Sequence, residues 1–205
     1  MQHHLVVWSD LSATARNIQQ FTLLFRFSFF TEIFATLLFL CATWCYYVLL
    51  KPVGQNLALL LVLLNLAGVA AECASTIIHF GALQCVVGTD LMRGFTANQM
   101  QAMSMLLLRV GGTGMAVATM FYGAWLFPFG LLVFKSGFIP RFWGALLIAD
   151  GVCLEICFVQ LCLFPAYDKW TYPLFPIMFV AEVGTALWLL IKGANQRVPE
   201  QSIPV

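Results

Sequence analysis

Five long apolar stretches constrain the fold of this chain more than any other feature of its sequence. A helix needs about 20 mostly apolar residues to cross roughly 30 Å of hydrocarbon at 1.5 Å per residue. Only 9% of the 205 residues are charged, whereas a soluble domain carries about 25%, so the outer surface must face lipid. We therefore predict an all-α, polytopic membrane bundle of five transmembrane helices, at about residues 27–50, 57–80, 103–134, 142–164 and 172–191.

The segments between and around these stretches are polar, and no composition shift divides the chain. Residues 1–20 are too polar to span a membrane, and residues 195–205 read as a flexible tail. Residues 89–101 are predicted to form a loop that ends in a helix start. Pro128 lies inside the third stretch, where a proline is expected to kink the helix. The chain is therefore predicted to be a single transmembrane domain, residues 1–205.

The distribution of basic residues predicts the orientation, because cytoplasmic loops carry an excess of Lys and Arg. With five spans, one side of the membrane carries Lys51, Lys135, Arg141, Lys192 and Arg197. The other carries Arg16, Arg93 and Lys169, with Arg26 and Arg109 near the helix ends. We expect the C-terminus to lie in the cytoplasm. The net charge of +1 gives no basic field for nucleic acid, so no nucleic-acid partner is expected.

No metal or cofactor site is predicted. The seven cysteines include two i, i+4 pairs inside apolar helices, and buried cysteine behaves as a small hydrophobe. The sequence has no CxxC, no HExxH and no phosphate-binding loop. Lysines occur only at helix ends or in loops, which argues against a Schiff base inside a helix. The glycines of residues 111–114 lie in an apolar stretch and are interpreted as close helix packing.

Five acidic residues within the apolar stretches are the main candidates for function, because charges deep in a membrane are costly and usually face the interior of the bundle. Counted from the cytoplasmic helix ends, Asp150 and Glu182 lie about 14 Å deep, Glu155 and Glu72 about 21–22 Å, and Glu32 about 27 Å. Four helices thus place acids at matching depths, from the midplane outward. This placement predicts a polar cavity that opens to the extracytoplasmic side.

Polar side chains accompany these acids along the first two spans. Asn65, Glu72 and His79 repeat every seven residues, so they share one helix face, with Thr76 beside them. Ser28, Glu32 and Thr36 share a face of the first span. Asp150 and Glu155 are five residues apart and point in different directions. The candidate catalytic residues are Asp150, Glu155, Glu72, Glu32 and Glu182, and the candidate ligand-binding residues are Asn65, Thr76, His79, Arg26 and Arg109.

Several local strings resemble a family of bacterial membrane proteins. They are Ser9-Asp10, residues 14–18 (TARNI), residues 24–26 (LFR), residues 121–123 (FYG), residues 136–141 (SGFIPR), Gly144, Glu182 and residues 186–193 (ALWLLIKG). Together they resemble the domain of unknown function 4386 family over nearly the whole chain. The resemblance implies a multi-pass protein of the bacterial inner membrane with an additional first helix, which this chain lacks. Family members often carry a histidine where this chain has Gly111-Gly112. The family name assigns no activity.

Three classes of function fit these observations. The first is a membrane enzyme that acts on a lipid or isoprenoid by acid–base chemistry, with Asp150 or Glu155 as proton donor and Glu72 or Glu32 as base. The second is a non-catalytic subunit or scaffold, whose acids are satisfied between helices or by a complex partner or second copy. The third is a proton- or cation-coupled carrier that uses the same acids as a relay. Membrane lipids are the expected surroundings and a lipid or isoprenoid the expected ligand.

Overall fold

A computed structural model describes residues 11–87 and 94–193, apart from the side chains of Leu11, Ala166 and Asp168. Arg93 and Arg197, which contribute to the predicted orientation, lie outside the described residues, as do residues 195–205 of the predicted tail. The elements are α1 (Leu11–Gln20), α2 (Thr22–Leu50), α3 (Gln55–Val87), α4 (Ala97–Ser136), α5 (Arg141–Leu163), a 3₁₀ segment (Pro165–Leu174) and α6 (Phe175–Lys192).

Five helices are long and apolar enough to cross a membrane, which confirms the predicted all-α fold. Their ends differ from those of the predicted stretches by up to seven residues, because hydropathy marks the apolar part of a helix whereas capping and turn residues set its ends. At the start of α4, the Thr96 amide donates to the Gln99 side chain (2.9 Å), and the Gln99 amide approaches the Thr96 hydroxyl (3.4 Å). This reciprocal capping box starts the helix at Ala97, inside the predicted loop.

Proline and glycine residues lie at the turns between consecutive helices. Between α2 and α3 the chain turns at Pro52, and the Gly54 amide donates to the Leu50 carbonyl (3.2 Å). Gly137, between α4 and α5, has a φ of 71°, a conformation that residues with a Cβ rarely adopt. Pro128 lies inside α4, and the helix continues on both sides of it. The expected kink at Pro128 stays a prediction.

By internal contacts the chain divides into two compact units. Unit 1 comprises Met1–Thr43 and Asn65–Phe121, and unit 2 comprises Trp44–Leu64 and Tyr122–Val205. The boundaries fall within α2, α3 and α4.

Unit 1 contains a helix that the polarity of residues 1–20 did not suggest. Helix α1 places Ile18, which is fully buried, in an apolar cluster with Phe25 of α2, Leu83 of α3 and Leu108 of α4. The Gln19 side chain donates to the Val86 carbonyl (3.0 Å), which ties α1 to the end of α3. The buried face of α1 is narrow and contains the apolar residues Ala15 and Ile18. The helix therefore packs against its neighbours although most of its residues are polar.

Unit 2 is organised by close packing of α4 against α5. A Cβ added to Gly130 would lie 2.8 Å from the Gly144 carbonyl oxygen, and one added to Gly144 would lie 2.8 Å from the Gly130 carbonyl oxygen. A Cβ on Gly151 would lie 2.9 Å from the carbonyl oxygen of Gly123. Gly123 and Gly130 are seven residues apart on α4, and Gly144 and Gly151 are seven residues apart on α5. One face of each antiparallel helix therefore carries two contact points. Small residues that let backbones approach in this way are typical of membrane helix pairs.

Candidate functional site

The predicted polar face of α3 is present in unit 1, and Thr76 connects it to α2. The Thr76 hydroxyl lies 2.9 Å from Glu32 Oε1 and 2.9 Å from the Glu72 backbone carbonyl. One hydroxyl has a single proton, so it donates to one of these oxygens at a time. Thr76 is buried, whereas Glu32 and Glu72 are half-buried. Glu32 and the α3 face therefore meet at one polar contact between two predicted spans.

Other hydroxyls of the predicted α2 face are used within their own helix. Ser28 donates to the Leu24 carbonyl (2.9 Å), and Thr36 donates to the Glu32 carbonyl (2.8 Å). Such bonds satisfy a hydroxyl in an apolar environment without reaching a neighbouring helix. Ser28 and Thr36 thus share a face with Glu32, as predicted, yet their hydroxyl groups donate to the backbone of α2 itself.

Asn65 and His79, the two ends of the predicted stripe, keep unsatisfied polar atoms. Asn65 is fully buried, and neither its amide nitrogen nor its amide oxygen has a hydrogen-bond partner among the described residues. The same holds for Nδ1 of His79. Buried polar groups are nearly always paired, so these atoms are available to a ligand or to a neighbouring molecule.

The His79 imidazole occupies the space beside Gly111 of α4. A Cβ added to Gly111 would overlap with the Cδ2 and Nε2 atoms of the ring, and one added to Gly114 would lie 3.1 Å from the Ser75 Cβ. Ser75 also donates to the Gly111 carbonyl. Gly112 has open space instead. The interpretation of residues 111–114 as close helix packing is confirmed at Gly111 and Gly114.

The two arginines predicted to bind a ligand, Arg26 and Arg109, are exposed on α2 and α4. Neither side chain makes a hydrogen bond or ion pair with another described residue. Their guanidinium groups are therefore available, and no contact found in unit 1 joins them to the acids of the same unit. Their assignment to a ligand site stays a prediction.

Asp150 of α5 is the most deeply buried acid of unit 2. It has no exposed surface, and neither carboxylate oxygen has a hydrogen-bond partner among the described residues. Glu182 of α6 lies close enough to interact with it electrostatically. Glu182 itself is exposed. The similar depth predicted for the two acids stays a prediction.

Three aromatic side chains of α2 and α4 pack against one another in unit 2. Tyr46 interacts electrostatically with Glu182. The Tyr46 ring lies 4.6 Å from that of Phe129 and 6.4 Å from that of Trp125, centroid to centroid. These three rings were not predicted from the sequence. A spacing of four residues between Trp125 and Phe129 was the available signal, but aromatic residues are so abundant in this chain that the spacing carried little information.

Glu155 lies where α5 meets α4, beside an open groove. Its Oε1 would lie 2.8 Å from a Cβ added to Gly123, so the absence of a side chain at Gly123 makes room for the carboxylate. Glu155 is half-buried and makes no hydrogen bond with another described residue. The groove has a volume of about 370 Å³ and is lined by Phe127, Val152, Glu155, Ile156, Val159, Gln160 and Phe164.

The groove surface is apolar, since five of its seven lining residues are hydrophobic and the Glu155 carboxylate is turned toward Gly123. Gln160 donates its side-chain amide to the Phe164 carbonyl (3.1 Å), which satisfies the end of α5. The five predicted acids therefore divide between the units: Glu32 and Glu72 belong to unit 1, and Asp150, Glu155 and Glu182 to unit 2. A single cavity lined by all five stays a prediction.

Within residues 11–87 and 94–193, no group of three or more His, Cys, Asp or Glu side chains is placed to hold a metal ion. All seven cysteines are free thiols. The described part of unit 1 contains carboxyl, hydroxyl, imidazole, amide and thiol groups, and that of unit 2 contains the same groups except imidazole.

Comparison with known proteins gives one match. The family model described as a domain of unknown function, DUF4386, matches residues 1–193. No curated protein and no solved structure matches the chain. The match agrees with the resemblance found in the sequence, and it extends from the first residue to the end of α6.

Proposed function

We propose that this chain, which belongs to the DUF4386 family, binds a lipid or isoprenoid chain in the α4–α5 groove and exchanges a proton with it through Glu155. The observation that carries this proposal is that an acidic residue, Glu155, lines a groove whose other lining residues are hydrophobic except Gln160, on helices apolar enough to span a membrane. Hydrocarbon fills such a groove at no desolvation cost. The carboxyl group of Glu155 is the reactive group beside this groove.

The geometry of Glu155 suits a proton donor or acceptor. Its carboxylate faces Gly123 and has no hydrogen-bond partner among the described residues, so rotation of its side chain is not opposed by a lost bond. A positioned general acid or base contributes about 10²–10⁴-fold to a reaction rate. A double bond close to the groove is the natural acceptor, as in the isomerisation or cyclisation of an isoprenoid.

The other residues predicted to form the site are kept in this proposal as candidate site residues. Asp150 and Glu182 are candidate acids in unit 2, and Glu72 and Glu32 are candidate bases in unit 1. The candidate ligand-contacting groups are Asn65, Thr76, His79, Arg26 and Arg109, among which Asn65 and His79 carry buried atoms without a hydrogen-bond partner in the described residues. We propose that the ligand enters from the extracytoplasmic half of the bilayer.

A second function is supported by Glu182, namely that of a subunit in a membrane complex. Glu182 is exposed near the middle of α6, and only 11% of the most apolar 18-residue window of the Lys169–Lys192 span is buried within the chain. An ionisable side chain at the centre of a spanning helix costs about 2.5–3.5 kcal/mol on insertion scales. A second copy or another membrane subunit packed on α6 would remove Glu182 from lipid.

We further propose a location in the bacterial inner membrane with the C-terminus in the cytoplasm. The support is that Lys51, Lys135, Arg141 and Lys192 lie at one set of helix ends, whereas the described basic residues toward the other side are Arg16 in α1, Lys169 in the 3₁₀ segment, and Arg26 and Arg109 within α2 and α4. A reporter that fluoresces only in the cytoplasm, fused after Val205, should be fluorescent. A periplasmic phosphatase fused at the same place should be inactive, and the reverse pattern would contradict this orientation.

Deuterium incorporation tests the proton exchange without knowledge of the substrate. The full chain, reconstituted with a bacterial membrane lipid extract in D₂O, should add deuterium to carbon in one lipid or isoprenoid species. Glu155→Gln should lower this rate about 10²–10⁴-fold, and Glu155→Asp should retain part of it. Absence of carbon-bound deuterium with the unaltered chain, or full activity in Glu155→Gln, would contradict the proposal.

A further inference from the structure

One end of unit 2 carries only positive charges among its described residues. It is the end at which α2, α4 and α6 finish and α5 begins. The residues that form it, 47–57, 130–145 and 188–193, contain no Asp or Glu. We call it the basic end of unit 2, and its charged residues, all exposed, are Lys51, Lys135, Arg141 and Lys192. These cations therefore have no carboxylate partner within the described residues of this end.

Close packing of α4 against α5 places Lys135 and Arg141 at nearly one level. Gly130 and Gly144 meet backbone to backbone, since a Cβ on either would lie 2.8 Å from the carbonyl oxygen of the other. Lys135 is five residues beyond this contact on α4, and Arg141 is three residues beyond it on antiparallel α5. At 1.5 Å per residue, the two cations are about 8 and 5 Å past the contact in the same direction. They flank the α4–α5 turn.

The α2–α3 turn brings Lys51 to the same end. A Cβ on Gly54 would lie 3.3 Å from Cδ2 of Leu132, so this turn packs on the last part of α4. Lys135 is three residues, or about 5 Å, beyond Leu132 along that helix. The Lys51 ammonium lies 5.8 Å from the centroid of the Tyr47 ring, within the range of a cation–π contact. The α2–α3 turn, the end of α4 and the start of α5 thus each contribute one cation.

Aromatic side chains accompany these cations. Phe142 is 54% exposed and its ring lies 4.4 Å from that of the half-buried Trp143, centroid to centroid. Trp44 is 60% exposed and its ring lies 5.2 Å from that of Tyr47. Trp and Tyr beside basic residues at the ends of spanning helices are typical of the membrane–water interface. The basic end therefore has the composition of a surface that contacts lipid head groups.

From this arrangement we infer that the basic end of unit 2 binds the head group of an anionic phospholipid. The Arg141 guanidinium donates to two oxygens of the lipid phosphate, and the ammonium groups of Lys135 and Lys51 balance its charge. Leu131 is exposed on the same face of α4 as Lys135, one turn away, and offers an apolar surface to an acyl chain. A zwitterionic head group carries its own cation, which this surface repels.

This surface is distinct from the α4–α5 groove. On α5 the groove is lined by residues between Val152 and Gln160, whereas Arg141 begins the helix. The inference therefore does not depend on proton exchange at Glu155.

Native mass spectrometry of retained lipids tests the inference. The full chain, reconstituted with equal amounts of phosphatidylglycerol and phosphatidylcholine and transferred to a mild detergent, should retain phosphatidylglycerol preferentially. A Lys or Arg near an anionic surface contributes about 1 kcal/mol, which is about fivefold in affinity. Arg141→Gln and Lys135→Gln should therefore each lower the preference about fivefold. Arg141→Lys, which keeps the charge, should retain most of it. All these positions are exposed, so the substitutions leave the packed core intact.

Lys169→Gln is the matched control, because it removes one exposed cation at the opposite end of the α5–α6 hairpin. It should leave the preference unchanged, and so should Val152→Trp, which fills the groove. Equal retention of the two lipids by the unaltered chain would overturn the inference, as would equal losses in Lys169→Gln and Arg141→Gln. Loss of the preference in Val152→Trp would assign the retained lipid to the groove instead. Displacement of the lipid by millimolar inorganic phosphate would assign the basic end to a soluble anion.

Discussion

The imidazole of His79 fills the space in which a side chain at Gly111 would lie. The contact joins α3 to α4, and the nearby Ser75 hydroxyl, which donates to the Gly111 carbonyl, reinforces it. Gly111 is buried. The missing side chain at position 111 is therefore what allows a histidine on the neighbouring helix to pack inside unit 1.

Substitution of Gly111 by Ala should destabilise the chain. The added methyl would displace the His79 ring, and overpacking of this kind costs about 1–3 kcal/mol. The free energy of unfolding in a fixed detergent measures the effect. Gly112→Ala, which adds a methyl to open space on the same helix, is the control and should be close to neutral.

The double variant Gly111→Ala with His79→Ala tests whether the stability loss in Gly111→Ala comes from the clash with the His79 ring or from the extra methyl group itself. Removal of the ring should recover most of the stability lost in Gly111→Ala, because neighbouring residues couple in a double-mutant cycle. If the two losses add without recovery, the imidazole does not occupy the space beside Gly111.

Gly130 and Gly144 should be even less tolerant of substitution. At both positions a Cβ would meet a backbone carbonyl oxygen at 2.8 Å, and backbone moves less easily than a side chain. We expect Gly130→Ala and Gly144→Ala to lower the unfolding free energy by about 3 kcal/mol or more, the upper end of overpacking costs. Gly81→Ala is the matched control, since its methyl would lie 3.6 Å from a Leu107 methyl, an ordinary contact. Equal stability of all three variants would contradict the close α4–α5 packing.

The Thr76–Glu32 contact predicts a moderate effect on stability. Thr76→Val keeps the shape of the side chain but removes the donor, which leaves the half-buried Glu32 carboxylate without this bond. A loss of about 1–3 kcal/mol is expected in the unfolding free energy. Thr31→Val, whose hydroxyl donates only to the Phe27 and Ser28 carbonyls of its own helix, should change stability less. A Thr76→Val variant as stable as Thr31→Val would show that Glu32 does not depend on Thr76.

Much of the architecture could be predicted from the sequence because a bilayer imposes a simple rule. Backbone polar groups in hydrocarbon must be satisfied internally, so each long apolar stretch becomes a helix. Helix ends were harder to predict, since Thr96 and Gln99 start α4 through local hydrogen bonds that hydropathy does not report. Helix α1 was missed for a related reason: its buried face is only a few residues wide.

The candidate site was predictable only in part. Seven-residue and four-residue spacings indicated which polar residues share a helix face, and the Thr76–Glu32 bond lies on two faces identified in this way. Contacts between helices depend on rotation and register, which one sequence does not specify. Glycines spaced seven residues apart occur on both α4 (Gly123 and Gly130) and α5 (Gly144 and Gly151). This spacing was visible in the sequence, but which glycine of α4 packs against which glycine of α5 is known only from the structure.

We expect an ordered ligand in the α4–α5 groove. The most direct measurement is an experimental structure of the full chain purified with its native lipids, supported by mass spectrometry of the bound species. We predict density for one hydrocarbon chain along Phe127, Ile156 and Val159, with a reactive carbon or head group about 3 Å from the Glu155 carboxylate. The matched variant Val152→Trp, which fills the groove from an exposed position, should lose both the density and the bound species. A groove with no ordered chain, or an equally occupied groove in Val152→Trp, would contradict the account.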